Sequence, residues 1–515
     1  NTLSWFSGDN RHRVKFTTEA RRESYWQDLT SNELGSFSYQ SLADLEAGRP
    51  ASYSRQLAPR RRVGSQFVGA FSLGDAWRPT NDVQIQYGVR MDGNRFLQGP
   101  SSNPLVDSVF GRNNADVPNR VYVSPRVGFS WTYGQADQIA FVPGMVRAPR
   151  AVISGGIGVF QNTPGTQLIG GAIDNTGLPS GLQQLNCLGA AAPTPDWTAW
   201  IADRSLIPRT CADGTEGTIF AQSAPNVLLF DPSFAAQRSL RSNLRWAGAV
   251  MQNRYRASVD VTYSRNLAQQ NSVDLNFVGN QAFVLENEGG RPVYVPTSAI
   301  VSNTGQVAWR QARVTDAFGR VTQQQSDLQS DSRQVTLSLA PLNYSSVFRW
   351  NLTYVFADVR QQFNGFQSTV GDPFAKEWSR ATGNSRHQIQ YSLSYNFFDA
   401  VTVSWGGNLR SGSPYSALIA GDVNGDSYGN DRAFVFDPAT ASDPTLAAGM
   451  QNLIETATPE ARRCLESQLG KLAKRNNCEG PWTAGANLGI TLNSVRLGIP
   501  QRATISMQVQ NPLAG

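Results

Sequence analysis

Apolar and polar residues alternate in many short stretches of the chain. In VQIQYGVRM at residues 83–91, every odd position is apolar or aromatic and every even position is polar or glycine. A two-residue period is typical of a β-strand whose two faces meet different surroundings. The same alternation recurs at residues 127–133, 255–263, 348–356, 389–395, 401–405, 482–492 and 503–509. The pattern predicts an all-β chain.

Less regular stretches add further candidate strands. They lie at about residues 12–26, 65–77, 151–160, 240–250, 307–314 and 333–340, which brings the total to about 14 to 16 strands. Helical periodicity is scarce. The best helix candidate is the stretch around 458–475, where Glu460 comes early and Lys471, Lys474 and Arg475 come late. That order of charges suits the helix dipole.

The connections between the predicted strands alternate between short and long. Short turns lie at 78–82, 251–254, 341–346, 397–400 and 494–501, and long polar segments lie at about 93–122, 161–238, 266–306, 358–386 and 411–481. An up-and-down outer-membrane barrel has short periplasmic turns and long outer loops. We therefore predict one antiparallel transmembrane β-barrel domain over residues 1–515, with residues 161–238 and 411–481 as long outer loops.

Soluble β-proteins are the alternative, and the residues at the two faces argue against them. Tyr255 and Tyr263 lie eight residues apart on one apolar face, a span of about 20 Å for a tilted strand. Membrane barrels carry aromatic residues at the two edges of an apolar band ~25 Å tall. A propeller would repeat every ~40–50 residues, whereas the strand spacing here varies several-fold. No apolar run reaches the ~18 residues of a transmembrane helix.

Composition supports a surface unlike that of a soluble protein. Charged residues make up 16% of the chain, and only four of them are lysines, against ~25% charged residues in typical soluble domains. The net charge is +6, but the arginines are scattered and the longest basic run is RRR at residues 60–62. A nucleic-acid partner is therefore not expected.

Catalytic motifs are absent from the sequence. It contains no GxSxG, HExxH or GxxxxGK[ST] pattern, so the usual nucleophile, metalloprotease and phosphate-loop signatures are missing. The two histidines, His12 and His387, begin strand-like segments, and the acidic pair Asp372 and Glu377 lies in a loop. We predict no catalytic residue and no enzyme activity.

Four cysteines fall into two local pairs, Cys187 with Cys211 and Cys464 with Cys478. Neither pair has CxxC spacing, and two histidines are too few to favour zinc ligation. Loop-closing disulfides in an oxidising compartment are the favoured interpretation over free thiols.

The segment GDVNGDSYGND at residues 421–431 is the best candidate for an ion site. Asp422, Asn424 and Asp426 occupy positions 1, 3 and 5 of the calcium pattern D-x-[DN]-x-[DN]-G. Position 6 is Ser427 and position 12 is Ala433, which excludes an EF-hand. Two interpretations stay open: a partly hydrated calcium site that also uses Asn430 and Asp431, or an Asp/Asn/Gly turn cluster held by side-chain to backbone hydrogen bonds. No other cofactor is predicted.

Several short motifs, in this order along the chain, resemble barrel segments of TonB-dependent receptors, in particular their Oar-like branch with a carboxypeptidase-regulatory-like domain. They are DAWRP at 75–79, SPRVGF at 124–129, GGIGVF at 155–160, RSGSPY at 410–415, GDVNGD at 421–426 and NDRAF at 430–434. The segments around Cys464 and Cys478 are similar to a disulfide-bearing outer loop of that branch. The resemblance implies a barrel of about 22 strands, a plug and a TonB box.

Plug, TonB box and regulatory-like domain do not occur in the sequence, so we interpret the chain as a barrel fragment lacking the plug and both ends. The resemblance implies a Gram-negative outer-membrane protein that binds an unknown extracellular substrate at its outer loops and transports it with energy relayed from the inner membrane. Its expected partners are outer-membrane lipid and lipopolysaccharide, and the TonB complex through the missing plug. The alternative is a plug-less porin or a surface adhesin.

Overall fold

A computed structural model describes residues 1–135, 149–178, 181, 184–188, 192–212, 224–300, 307, 309–342, 347–419, 421–493 and 504–512. Its main element is an up-and-down antiparallel sheet in which each of 14 strands pairs with the next along the chain. We call this sheet the wall. Its strands are β1 (Thr2–Phe6), β2 (His12–Asp28), β3 (Arg61–Trp77), β4 (Val83–Phe96), β5 (Arg120–Gln135), β6 (Pro149–Gln161), β7 (Arg238–Val250), β8 (Tyr255–Asp274), β9 (Val321–Pro341), β10 (Phe348–Asn364), β11 (His387–Phe397), β12 (Val401–Arg410), β13 (Thr483–Asn493) and β14 (Thr504–Gln510).

Two more strands join the same sheet beside this path. Val227–Phe230 pairs in parallel with the first residues of β9, and Lys376–Arg380 pairs antiparallel with the last residues of β10. The described residues therefore form a sheet of 16 strands, within the predicted range. The prediction of an all-β, antiparallel up-and-down architecture is confirmed.

All the long connections leave the same end of the wall, because short and long connections alternate along the meander. We call these connections the cap; they comprise residues 29–60, 97–119, 162–237, 275–320, 365–386 and 411–482. The connection at 29–60 was not among those predicted. Several wall strands also extend further toward the cap than predicted: β8 reaches Asp274, and β9 already begins at Val321.

The cap contains short elements rather than open loops. Its helices are α1 (Leu42–Glu46), α2 (Pro104–Phe110), α3 (Gly170–Asp174), α4 (Trp197–Ala202), α5 (Pro444–Thr456) and α6 (Pro459–Glu466). Its short strands are Ser36–Ser38, Ser52–Gln56, Gln184–Leu188, Phe283–Leu285, Arg291–Val293, Pro414–Tyr415, Phe434–Val435, Lys471–Leu472 and Cys478–Glu479. Its 3-10 turns are Thr166–Ile169, Arg204–Leu206, Glu286–Glu288, Thr297–Ala299, Trp309–Ala312 and Gly365–Gln367.

Two secondary-structure predictions for the cap are wrong. The stretch 307–314 holds a 3-10 turn and not a strand. The helix predicted around 458–475 ends at Glu466, after which Gly470 takes a left-handed conformation with φ of 68° and the chain enters the strand Lys471–Leu472. A left-handed residue cannot continue a right-handed helix, and glycine adopts it without steric penalty. Within the described part of the chain, no helix combines the length and apolarity needed to span a bilayer.

The apolar side chains of the wall do not enter a core. Val261, Leu337 and Leu352 share one face of the sheet, and each remains about two-fifths exposed (45%, 41% and 43%). No second sheet of the described residues covers this face. The four clusters of buried apolar side chains lie in the cap and at the strand ends next to it. The wall therefore offers an apolar face to its surroundings, as a lipid-facing sheet does.

Candidate functional site in the cap and on the polar face of the wall

One buried cluster joins two cap connections that leave distant strands. The short strands Ser52–Gln56 and Gln184–Leu188 pair with each other, which links the connection after β2 to the connection after β6. Tyr53 is fully buried beside Cys187, and Cys187 is bonded to Cys211 with a Cα–Cα distance of 5.6 Å. The strand pair joins the two connections, and the disulfide closes a loop within the second of them.

A second cluster joins the connections after β8, β10 and β12. The ring of Phe277 packs against Tyr294 and Phe366, with ring centroids 4.9 and 5.8 Å apart. Cys464 of α6 is bonded to Cys478, with a Cα–Cα distance of 5.2 Å. Both cysteine pairs are therefore disulfides in the structure, and both lie in the cap.

The five residues of the candidate ion site come together in one turn cluster beside this second cluster. Asp422 accepts hydrogen bonds from the backbone N–H groups of Gly425 (2.7 Å) and Ser427 (2.8 Å). Asp426 accepts from Tyr428 N (2.8 Å) and Thr369 Oγ1 (2.9 Å), and Asp431 accepts from Val423 N (2.7 Å). Asn424 Oδ1 accepts from Asp426 N (2.9 Å), and Asn430 Nδ2 donates to Phe366 O (2.8 Å).

These hydrogen bonds are the ones expected for an Asp/Asn/Gly turn cluster held by side-chain to backbone contacts. Among the residues that the structure describes, no group of three or more histidine, cysteine or acidic side chains is arranged to hold a metal ion. Much of the acceptor capacity of the carboxylates is directed at backbone donors. The sequence pattern thus located a compact acidic turn, while its ion-binding role stays a prediction.

Three arginines from the connection after β8 surround the acidic turn. Arg313 is buried, pairs with Asp274 at 2.5 Å and donates to Ser427 Oγ. Arg320 stacks over the Tyr428 ring, with its guanidinium carbon 4.1 Å from the ring centroid. Arg291 lies with Nη1 3.8 Å from Asp431 Oδ1. Sequence reasoning missed these partners because more than 100 residues separate each arginine from the turn, and no local pattern reports such a contact.

Burial makes the ionised form of these carboxylates unfavourable. It raises the pKa of Asp426 to about 6 and that of Asp431 to about 7, and repulsion between the neighbouring carboxylates adds to both shifts. The pKa of Asp422 is also raised by burial. The turn therefore takes up protons close to neutral pH.

The polar face of the wall forms a large hollow. A cavity of about 990 Å³ is lined by polar and charged side chains, by glycines and by apolar residues such as Leu73, Val89 and Ile157. Its basic residues are Arg13, Lys15, Arg90, Arg126 and Arg241. The guanidinium carbons of Arg126 and Arg241 lie 4.9 and 5.5 Å from the centroid of the Phe160 ring. The hollow has the chemistry of a hydrated passage or of a surface that receives a polar partner.

The two histidines are aromatic edge residues of the apolar face. His12 Nδ1 lies 2.7 Å from Asp75, and its ring stacks on Trp77. His387 Nδ1 lies 2.8 Å from the Tyr354 hydroxyl, and its ring stacks on Trp482. Such side chains are typical of the interface regions of membrane barrels.

The loop carboxylates Asp372 and Glu377 have structural partners. Asp372 accepts a hydrogen bond from Phe374 N at 2.9 Å. Glu377 accepts from Arg432 at 2.7 Å and from Arg475 at 2.5 Å.

Comparison with solved structures finds large outer-membrane transporters. The outer-membrane transporter YddB from Escherichia coli superposes with a TM-score of 0.51 at 9% identity, over 100% of this chain and 49% of that one. A mutant of the ferric enterobactin receptor from Pseudomonas aeruginosa gives 0.44 at 11% identity, over 100% and 47%. The ferripyoverdine receptor of the same organism gives 0.44 at 9% identity, over 99% and 43%. The chain thus spans about half the length of these proteins.

Sequence comparison identifies the family of the chain. No curated protein matches it. Residues 1–497 match the outer membrane beta barrel domain, which agrees with the exposed apolar face, the polar hollow and the alternation of short and long connections. The predicted location in the outer membrane of a Gram-negative bacterium is confirmed, and the chain belongs to the outer membrane beta barrel domain family.

Proposed function

We propose that the chain is the barrel part of an outer-membrane receptor of the TonB-dependent type, of its Oar-like branch. The cap binds an extracellular substrate, and the intact protein moves that substrate inward with energy relayed from the inner membrane. The observation that carries the proposal is the cap itself. Five of the cap connections fold into two packed clusters, and the connections after β6 and β12 each contain a disulfide. A polar hollow of about 990 Å³ lies on the wall beneath them.

A packed cap favours a receptor over a simple pore. Ordering long loops costs conformational entropy, and loops that only surround an aqueous channel have no need of buried cores. A rigid surface built from several loops loses little entropy when it binds a ligand. The polar hollow beneath it has the size of a small-molecule site, and its polar and charged side chains could contact a plug or a passing substrate.

Genetics in the native host tests the proposal without knowledge of the substrate. A strain that lacks the gene and a strain that lacks TonB should share a growth defect on at least one nutrient of a broad panel. Reintroducing the intact gene should restore growth only where TonB is present. A defect that persists unchanged in strains with and without TonB would contradict energised transport.

The second candidate function is a plug-less porin or surface adhesin, and it is favoured by the size of the hollow alone. Conductance of the full-length protein in planar bilayers separates the two. A receptor closed by a plug should show no steady conductance, whereas a porin should conduct at once. An adhesin should also lack conductance, but its loss should weaken cell attachment and leave growth on every nutrient unchanged.

Calcium binding by the acidic turn remains a prediction. Asp422 raises the pKa of Asp426, and both carboxylates raise the pKa of Asp431, so a bound cation would relieve their repulsion. Calorimetric titration of the full-length protein with calcium should give heat that disappears in the Asp422→Ala/Asp426→Ala variant. Flat traces for both proteins would exclude calcium binding and leave the turn cluster as the interpretation of this segment.

A further inference from the structure

The short strand Lys376–Arg380 contacts a segment that follows α6 in the chain. Ser379 Oγ donates to Arg475 O at 2.7 Å, and Asn476 Nδ2 donates to Arg380 O at 2.7 Å. The strand belongs to the connection after β10, and the segment belongs to the connection after β12. Two cap connections therefore meet side by side at this place.

A cavity of about 450 Å³ lies where they meet, and residues of both connections and of the cap end of β10 line it. Arg360 and Arg380 are paired across two strands and share one face of the sheet. Glu377 and Ser379 lie on the other face, because neighbouring residues of a strand alternate between faces. The cavity is therefore at the rim of the sheet and not on its lipid-facing side. Its basic residues are Arg360, Arg380, Arg386, Arg432, Lys474 and Arg475.

Positive charge exceeds negative charge in this cavity. Three carboxylates pair with four of the six basic side chains, and one of the three serves two arginines. The pairs are Glu377 with Arg432 and Arg475, Asp358 with Arg386, and Glu479 with Arg380. Among the described residues, the basic side chains thus leave an excess of three positive charges.

Several buried donors of these arginines also lack acceptors. Arg432 is only 6% exposed, and its Nε has no hydrogen-bond partner among the described residues. The same holds for Nε of Arg386 and for Nε and Nη2 of Arg380. Burial and repulsion from Arg475 and Arg291 lower the pKa of Arg432 to about 10, which agrees with a deficit of negative charge. Because proteins pair nearly all their buried polar groups, four such donors in one cavity indicate an anionic acceptor from outside the chain.

We propose that this cavity binds a soluble small molecule that carries a diphosphate group. Arginine matches the geometry of phosphate with paired, charge-assisted hydrogen bonds. One phosphate group brings about 1.5–2 negative charges at pH 7, so an excess of three positive charges matches two groups better than one. The cavity volume of about 450 Å³ lies within the ~300–1,000 Å³ of small-molecule sites. A soluble ligand can reach lining residues from both faces of the sheet, whereas a lipid would reach only the apolar face.

This proposal deepens the proposed function and rests on it, because it names the chemical class of molecule that the cap binds. Binding can nevertheless be measured without transport. Failure of the binding tests below would leave a growth defect shared with a TonB mutant unaffected. Loss of TonB dependence would likewise leave binding unaffected, so the two proposals can fail separately.

Calorimetric titration of the full-length protein in detergent with inorganic pyrophosphate, in a buffer free of divalent cations, tests the site. Arg360 and Lys474 are exposed, line the cavity and form no ion pair with another described residue, so their substitution leaves the buried pairs intact. The native protein should bind pyrophosphate, and Arg360→Gln/Lys474→Gln should bind it at least tenfold more weakly. The matched control Arg112→Gln/Lys471→Gln removes the same charge from exposed residues outside the cavity, and it should bind as the native protein does.

Two further ligands test the number and the source of the phosphate groups. Inorganic phosphate should bind the native protein at least tenfold more weakly than pyrophosphate, and equal binding would overturn the assignment to a diphosphate. Diphosphorylated lipid A should not displace pyrophosphate. Displacement by lipid A, but not by its dephosphorylated form, would overturn the assignment to a soluble ligand. Absence of pyrophosphate binding, or equal binding by the native protein and a Arg360→Gln/Lys474→Gln variant that keeps heat-modifiable migration, would overturn the site itself.

Discussion

The wall and the cap use apolar side chains in opposite ways. In the wall, Leu337 and Leu352 are exposed on a regular sheet, whereas in the cap Leu185 and Leu229 are completely buried among short, irregular elements. The wall thus exposes its apolar side chains to lipid, whereas the cap buries its apolar side chains in its own core. The hydrophobic effect stabilises the cap as it does a soluble domain, while the wall depends on backbone hydrogen bonding and on the bilayer.

The largest expected effect comes from breaking a buried ion pair in the cap. Arg313→Leu removes the charged partner of Asp274, and both side chains are almost inaccessible. Loss of one partner of a buried pair costs about 3–5 kcal/mol, so amide exchange in residues 275–320 should accelerate while that in β8 and β9 near the short turns should not.

Arg112→Leu is the control for this change, because Arg112 is exposed and unpaired within the described residues. Combining Arg313→Leu with Asp274→Asn should recover part of the loss. Unchanged exchange in Arg313→Leu would mean that the cap does not rely on this pair.

Adjacent residues of β11 test the two faces of the wall. Leu393 lies on the apolar face opposite Trp350 and Trp405, and Ser392 lies on the polar face opposite Asn351 and Gly406. An arginine on the lipid side near mid-membrane destabilises a barrel by about 2–4 kcal/mol. Leu393→Arg should lose that much in urea unfolding from lipid vesicles, and Ser392→Arg should lose almost none. Equal losses would refute the assignment of the faces.

Removing the disulfides should loosen the cap and spare the wall. The bonds close loops with separations of 24 and 14 residues, and loops of this length contribute up to about 3 kcal/mol each. Protease should cut residues 162–237 more readily in the Cys187→Ser/Cys211→Ser variant. It should cut residues 411–482 more readily in the Cys464→Ser/Cys478→Ser variant. Heat-modifiable migration of the barrel should persist in both. Loss of that migration would show that the wall does not stay folded without the disulfides of the cap.

The last expected effect is a dependence of the acidic turn on pH. The folded pKa values of Asp426 and Asp431, about 6 and 7, lie above the ~3.9 of an unfolded aspartate. The folded turn therefore binds more protons, and its stability is greatest below pH 4, falls as pH rises through 7 and then levels off. Amide exchange of residues 421–431, corrected for the intrinsic rate, should become faster as pH rises from 5 to 8. Asp431→Asn should flatten this profile, and an unchanged slope in that variant would remove Asp431 from the explanation.

The contrast between wall and cap also decides what the sequence could predict. Strict alternation, as in residues 83–91, located the wall strands because one face meets lipid and the other meets water. The strand segments at 266–274 and 321–332 escaped prediction because, beyond the bilayer, both faces meet polar or buried surroundings and the alternation ends. The candidate acidic turn was found from local spacing, whereas Arg291, Arg313 and Arg320 act through contacts that no local pattern encodes.

The pairing of Ser52–Gln56 with Gln184–Leu188 has a consequence for recognition by other molecules. A surface assembled from connections more than 100 residues apart in sequence exists only while those connections remain paired. The Cys187–Cys211 disulfide fixes the loop that contains one of the two paired strands. An antibody or phage that attaches to this part of the cap would contact a discontinuous epitope. Synthetic peptides that copy single loops would fail to compete for it, and reduction of Cys187–Cys211 would abolish attachment on intact cells.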